Sequence, residues 1–145
     1  MPEIMPPQRL RMAQVKQIYT QERKRLKQLL DRRQSAERLL GENGQTRETV
    51  EALKEKDQED AILPIGGGVF VKGTIRSNAF QRLLPGDAVL PVPYEQLIKD
   101  LEEREHVLKE EIERVDKELQ HTSANINQLN QVREAMTNAL KKSKK

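Results

Sequence analysis

From Ile98 to Leu140 the apolar residues return every three and four positions. One heptad frame puts Leu101, Leu108, Val115, Thr122, Leu129 and Met136 at position a, and Ile98, Glu105, Ile112, Leu119, Ile126, Arg133 and Leu140 at position d. Ten of these thirteen positions are apolar. A 3.5-residue repeat sustained that far predicts a coiled coil rather than a helix of a globular core. Pro93 suits the first turn of that helix, and Glu95 sits well against the positive end of its dipole.

The N-terminal stretch, from about residue 8 to residue 59, carries a looser frame. Val15, Ile18, Glu22, Arg25, Leu29, Arg32, Ala36, Leu39, Asn43, Thr46, Val50 and Leu53 are apolar at seven of twelve positions, and Tyr19, Leu26 and Leu40 widen the stripe. Gly41 and Gly44 each cost about 1 kcal/mol inside a helix, so Gly41-Glu42-Asn43-Gly44 is the expected place for a bend or break. All seven Pro lie outside the two periodic interiors, as two uninterrupted helices require.

Between the periodic stretches the pattern changes from helical to alternating. Ala61 to Ile65 is short and apolar, Gly66-Gly67-Gly68 reads as a turn, and Val69, Val71, Gly73 and Ile75 alternate with Phe70, Lys72, Thr74 and Arg76. Phe80 to Leu84, the turn Pro85-Gly86-Asp87, and Ala88 to Val92 give a second pair of strands. Four short strands with Pro64 and Pro91 near their edges make a marginal sheet, so another subunit's hairpins are expected to complete it. The chain divides into 1–59 as a first helix, 60–93 as two β-hairpins and 94–145 as a second helix with a basic tail. Neither helix can bury its stripe alone, so the two are predicted to pair antiparallel.

Composition narrows the classes. Hydrophobic side chains are 35% and charged ones 34% of the 145 residues, with only four aromatics, Tyr19, Phe70, Phe80 and Tyr94, and no Trp. That is too little to fill the core of a compact enzyme. Zero Cys excludes disulfides and thiolate metal sites and fits a reducing compartment. No run approaches the roughly 18 apolar residues of a membrane span, and no signal-peptide segment opens the sequence; a soluble, cytoplasmic protein without membrane partners is expected. The net charge is only +3, but Arg9 to Arg38 carries +7, Glu42 to Asp60 −4, Tyr94 to Glu118 −5 and Arg133 to Lys145 +4. Antiparallel pairing groups the basic segments together and the acidic segments together, which suits either a partner or a solvated face.

Candidate chemistry is sparse. The glycine triplet lacks the Gly-Lys-Ser/Thr ending of a nucleotide loop and leads into a strand. His106 and His121 lie fifteen residues apart on one helix and cannot share a site; Glu102 and Glu103 beside His106 read as a solvated face. No carboxylate is set in an apolar pocket. Catalytic, metal and cofactor sites are therefore expected to be absent. Lys141, Lys142, Lys144 and Lys145 make a basic tail, either solubilising or partner-contacting. Leu10, Met12, Val15, Ile18 and Tyr19 are expected opposite Ile126, Leu129, Val132, Met136 and Leu140, either as core or as a fraying end that offers flexible apolar side chains to a nonnative chain.

Helix, two consecutive β-hairpins and helix in this length resemble the α class of prefoldin subunits. The most specific stretch is Asp60-Ala61-Ile62-Leu63-Pro64-Ile65-Gly66-Gly67-Gly68-Val69-Phe70-Val71-Lys72-Gly73-Thr74-Ile75, similar to that family's first hairpin, with Pro85-Gly86-Asp87-Ala88-Val89 at the second hairpin's turn. The resemblance implies an α+β, mostly α fold whose hairpins join an oligomeric β-barrel, in a jellyfish-shaped hexamer of two α-type and four β-type subunits. It further implies ATP-independent holding of unfolded proteins at coiled-coil tips and their transfer to a group II chaperonin. On that basis Ile62, Ile65, Val69, Val71 and Ile75 are expected to carry assembly, and Leu10, Met12, Val15, Leu129, Met136 and Leu140 to contact clients. The alternative is a structural coiled-coil adaptor that touches nucleic acid through its basic tip.

Overall fold

The computed structural model describes residues 8–143, with side chains from residue 12 onward. Helix α1 spans Gln8–Ala52 and helix α2 spans Tyr94–Ser143. Between them lie β1 (Gln58–Gly66), β2 (Val69–Ile75), β3 (Gln81–Leu83) and β4 (Val89–Pro91). The fold is α+β and mostly helical. β1 pairs antiparallel with β2 and β3 with β4, as two separate two-stranded sheets. Helix α1 stops at Ala52, short of the expected boundary at residue 59. Residues 53–57 form the link, and β1 begins at Gln58.

The chain divides into two compact units, one made of residues 1–37 and 110–145, the other of residues 38–109. In the first, Arg25 pairs with Glu118 at 3.7 Å, Arg32 with Glu111 at 2.5 Å and Arg33 with Asp116 at 2.5 Å. Advancing along α1 goes with retreating along α2, so the helix segments run antiparallel. Leu29, Ala36, Val115 and Thr122 are its buried residues. In the second unit Leu101, Asn43 and Val50 are buried, and Asn43 Nδ2 donates a hydrogen bond to the Leu101 carbonyl at 2.9 Å. Only one axial register satisfies that bond, and a polar residue in an apolar seam is a known means of fixing register at some cost in stability.

Along α1 the buried residues Leu29, Ala36, Asn43 and Val50 are spaced seven apart, as a helix covered along one stripe requires. Four of the twelve expected positions are nevertheless displaced by one residue. Arg25, Arg32, Leu39 and Thr46 were expected in the seam but are exposed, whereas Leu26, Arg33, Leu40 and Arg47 are half-buried. Arginine explains the shift, because its aliphatic stem can lie in a seam while the guanidinium reaches water. Arg33 bonds Asp116 and Glu37, and Arg47 bonds Glu51 at 3.0 Å and Glu102 at 2.9 Å. Both guanidiniums are held above their usual pKa, chiefly by the hydrogen bonds they donate to the Asp116 and Glu51 carboxylates respectively.

Gly41 to Gly44, the expected place for any bend or break, does not end the helix; the run is helical. Both glycines face open space, while Asn43 between them and Val50 beyond are buried. Burial of the stripe outweighs their weak helix propensity. An Arg38–Glu42 pair at 2.9 Å spans Gly41.

The register predicts a contrast between neighbours. Leu29, 5% exposed, is a seam residue, whereas Leu30 is 50% exposed. Leu29→Ala should cost about 2–5 kcal/mol, and Leu30→Ala within about 0.5 kcal/mol of zero, both read from urea denaturation followed by circular dichroism.

Candidate functional site

Among the described residues, nine of the fourteen exposed large apolar side chains lie on the hairpins. In the first, Ala61 opposes Gly73, Ile62 opposes Lys72, Leu63 opposes Val71 and Pro64 opposes Phe70. Directly opposed residues share a face, so Ala61, Leu63 and Val71 lie on one side and Ile62, Pro64 and Phe70 on the other. Neither face is covered: Ile62 is 64%, Phe70 61% and Val71 46% exposed. Ile65 falls at a register shift between Pro64 and Gly66 and is also exposed.

The turn is built by glycine for a backbone reason. Gly66 pairs with Val69, and the central residues Gly67 and Gly68 both have positive φ, 58° and 77°. Two consecutive left-handed residues are what a two-residue hairpin of type I′ demands. The triplet leads into β2, a strand, as its sequence suggests.

The second hairpin is shorter. Gln81 opposes Pro91, Arg82 opposes Leu90 and Leu83 opposes Val89. Two further backbone bonds extend the pairing, from Leu84 N–H to the Ala88 carbonyl at 2.7 Å and from Val92 N–H to the Phe80 carbonyl at 2.9 Å. Leu83, Val89 and Leu90 are more than half exposed.

Open faces on a loosely held hairpin would mean little, but these hairpins are fastened. The Ser77 N–H donates to Asp57 Oδ1 at 2.6 Å, and the Asn78 N–H donates to the Leu53 carbonyl at 2.9 Å. These two bonds tie the α1–β1 link to the β2–β3 link, where Asn78 turns the chain with φ 52°. Arg82 of β3 pairs with Asp100 of α2 at 2.6 Å, and Gln96 donates to the same carboxylate at 2.8 Å. The Phe80 ring lies 6.2 Å from that of Tyr94, which also carries the Lys54 ammonium 4.5 Å from its centroid. The donors hold two carboxylates below their usual pKa, Asp57 through the Ser77 backbone N–H and Asp100 through Arg82 and then Gln96.

Of the residues expected in assembly, Ile62, Ile65, Val69 and Val71 are exposed on the hairpins and Ile75 is half-buried at the end of β2. Phe70 on the first hairpin and Leu83, Val89 and Leu90 on the second are exposed as well, beyond the five expected. Alternation along Val69 to Ile75 separates two faces but not which one is covered, and both are open here.

Of the residues expected to meet clients, Met12, Val15, Leu129 and Met136 are half-buried and Leu140 is 51% exposed. Leu10 lies in α1, with its side chain outside the described residues. Arg133 stacks on the Tyr19 ring at 4.6 Å, which brings α1 and α2 together in this region. Lys141 and Lys142 are exposed at the end of α2; Lys144 and Lys145 lie outside the described residues. Among the described residues no group of three or more His, Asp or Glu is placed to hold a metal ion, and no helix is long and apolar enough to cross a membrane. Compared with protein-family models and with characterised proteins, the chain matches none.

The fastening predicts a pH dependence. A carboxylate whose folded pKa is depressed stabilises the fold above the ordinary carboxylate range and loses that contribution as pH falls through the folded value. Acidification should therefore loosen the Asp57–Ser77 bond, seen as loss of exchange protection at the Ser77 amide. Asp57→Ala should give the unprotected Ser77 amide already at neutral pH and flatten the acid limb.

Proposed function

We propose that the chain is a subunit of a prefoldin-like holdase, assembled through its two hairpins and binding unfolded proteins through the terminal turns of its helices. The observation that carries this reading is the pair of fastened hairpins with apolar residues uncovered on both faces, including Ile62, Val69, Phe70 and Val71. Contiguous exposed apolar surface of that kind marks an interaction site, and a two-stranded hairpin needs further strands or a packed face for stability. In this reading the antiparallel helix pair is a coiled coil closed within the chain, and the sheet is closed by neighbouring subunits in a β-barrel. The partners would be β-type subunits in a hexamer of two α-type and four β-type chains, with a group II chaperonin receiving the clients, in the cytoplasm. No bond chemistry and no cofactor enter.

The helix ends suit the second half of the proposal. Val15, Ile18, Leu129 and Met136 are only half-covered there, and Met adapts its shape to varied apolar partners. Exposed Lys141 and Lys142 add positive charge beside them.

Light scattering of an aggregating client tests the reading. The assembled complex should suppress aggregation without ATP; full aggregation at molar excess of complex would contradict it. Ile62→Lys combined with Val71→Lys should weaken assembly by at least about tenfold and abolish suppression, with helix content unchanged. Strong, salt-sensitive nucleic-acid binding lost on deleting residues 141–145 would instead favour the adaptor.

A further inference from the structure

In the unit made of residues 1–37 and 110–145, the seam contains one layer that is polar on both sides. The Arg25–Glu118 and Arg32–Glu111 pairs set the register there. One turn further, three residues back from Arg25 on α1 and four residues on from Glu118 on α2, stand Glu22 and Thr122 in the same layer. Thr122 is fully buried, and its Oγ1 has no hydrogen-bond partner. Glu22 Oε2 is likewise buried and unpartnered. A buried polar atom without a partner forfeits the bonds it would make with water, which opposes closure of the layer.

Burial changes at the same place. On one side of the layer stand Leu29, Ala36 and Val115, each buried. On the other side, along residues 12–21 and 123–143, no residue is buried; Val15, Ile18, Leu129 and Met136 are half-covered. Segments with little apolar burial open at the low end of a protein's free-energy range. The outer segment is therefore weakly held and meets the rest of its unit at a layer that gains by rehydration.

We infer that the Glu22–Thr122 layer is a built-in opening point, beyond which the outer turns of α1 and α2 separate as a unit while the seam from Leu29 and Val115 inward stays closed. Separation returns both polar side chains to water and uncovers Val15, Ile18, Leu129 and Met136 together. The Arg133–Tyr19 stack is a cross-helix contact that re-forms on closure. The opening follows from the layer alone; its use in capturing clients rests on the holdase reading.

Hydrogen exchange of the assembled full-length protein tests the inference, with wild type compared against Glu22→Leu combined with Thr122→Val. The substitution replaces the polar layer with an apolar one, so amides in residues 12–21 and 123–136 should exchange about tenfold more slowly or beyond, while those around Leu29 and Val115 change little. Unchanged exchange in the outer segments, or equal slowing throughout both helices, would overturn it. Client suppression measured on the same variant separates the two claims. Slower exchange with weaker suppression supports both, whereas slower exchange with full suppression keeps the opening and removes its role in holding clients.

Discussion

Everything in this chain depends on a seam one residue wide. Among the described residues its buried apolar members are Leu29, Ala36 and Val115 in one unit and Val50 and Leu101 in the other, too few for a core and enough only when two helices share them. Since the stripe recurs every seven residues on α1, a one-residue step toward the C-terminus would put Glu37 and Glu51 in place of Ala36 and Val50, and on α2 Glu102 and Asp116 in place of Leu101 and Val115. Asn43 tightens the constraint, because its amide finds the Leu101 carbonyl at one register only. Charged flanks follow the same geometry: Arg25 and Arg32, a heptad apart, meet Glu118 and Glu111, also a heptad apart. Surface pairs of this kind contribute little individually, and their value lies in agreeing with the register that burial has already selected.

The hairpins present the opposite balance. The helices bury Leu29, Ala36, Val50, Leu101 and Val115 within the chain, but the strands hold Ile62, Phe70 and Val71 outward on two faces. Meanwhile Asp57, Asn78 and Arg82 fix where those faces stand. A strand pair that is anchored but uncovered combines a defined position with an unsatisfied hydrophobic demand. That combination is what the proposal of assembly through the hairpins rests on.

Much of this was legible in the residues. The repeat from Ile98 to Leu140 located α2, and Pro93 marked its start at Tyr94. Glycine and proline marked both hairpin turns. The first helix was harder, since Arg at a seam position is indistinguishable from Arg on a solvated face until its carboxylate partners are placed; hence Arg32 was put in the seam in place of Arg33. Gly41 and Gly44 left the helix's continuity open for a related reason: propensity is local, whereas the burial of Asn43 and Val50 that keeps the helix intact is not. The fastening of Asp57 to Ser77 joins residues twenty apart through a backbone donor, which no pattern of side chains announces. Glu22 and Thr122 were visible as polar residues in apolar frames, but their meeting in one layer needed the register.

The central claim is that the hairpin faces are completed by other chains. Its most direct test is the solution mass of the purified protein, by light scattering after size exclusion, alone and mixed with candidate β-type chains. The account predicts no stable monomer at micromolar concentration once such chains are present, and a hexamer with two copies of this chain. A mass that stays monomeric in every mixture, with Phe70 and Val71 still open to solvent, would contradict it.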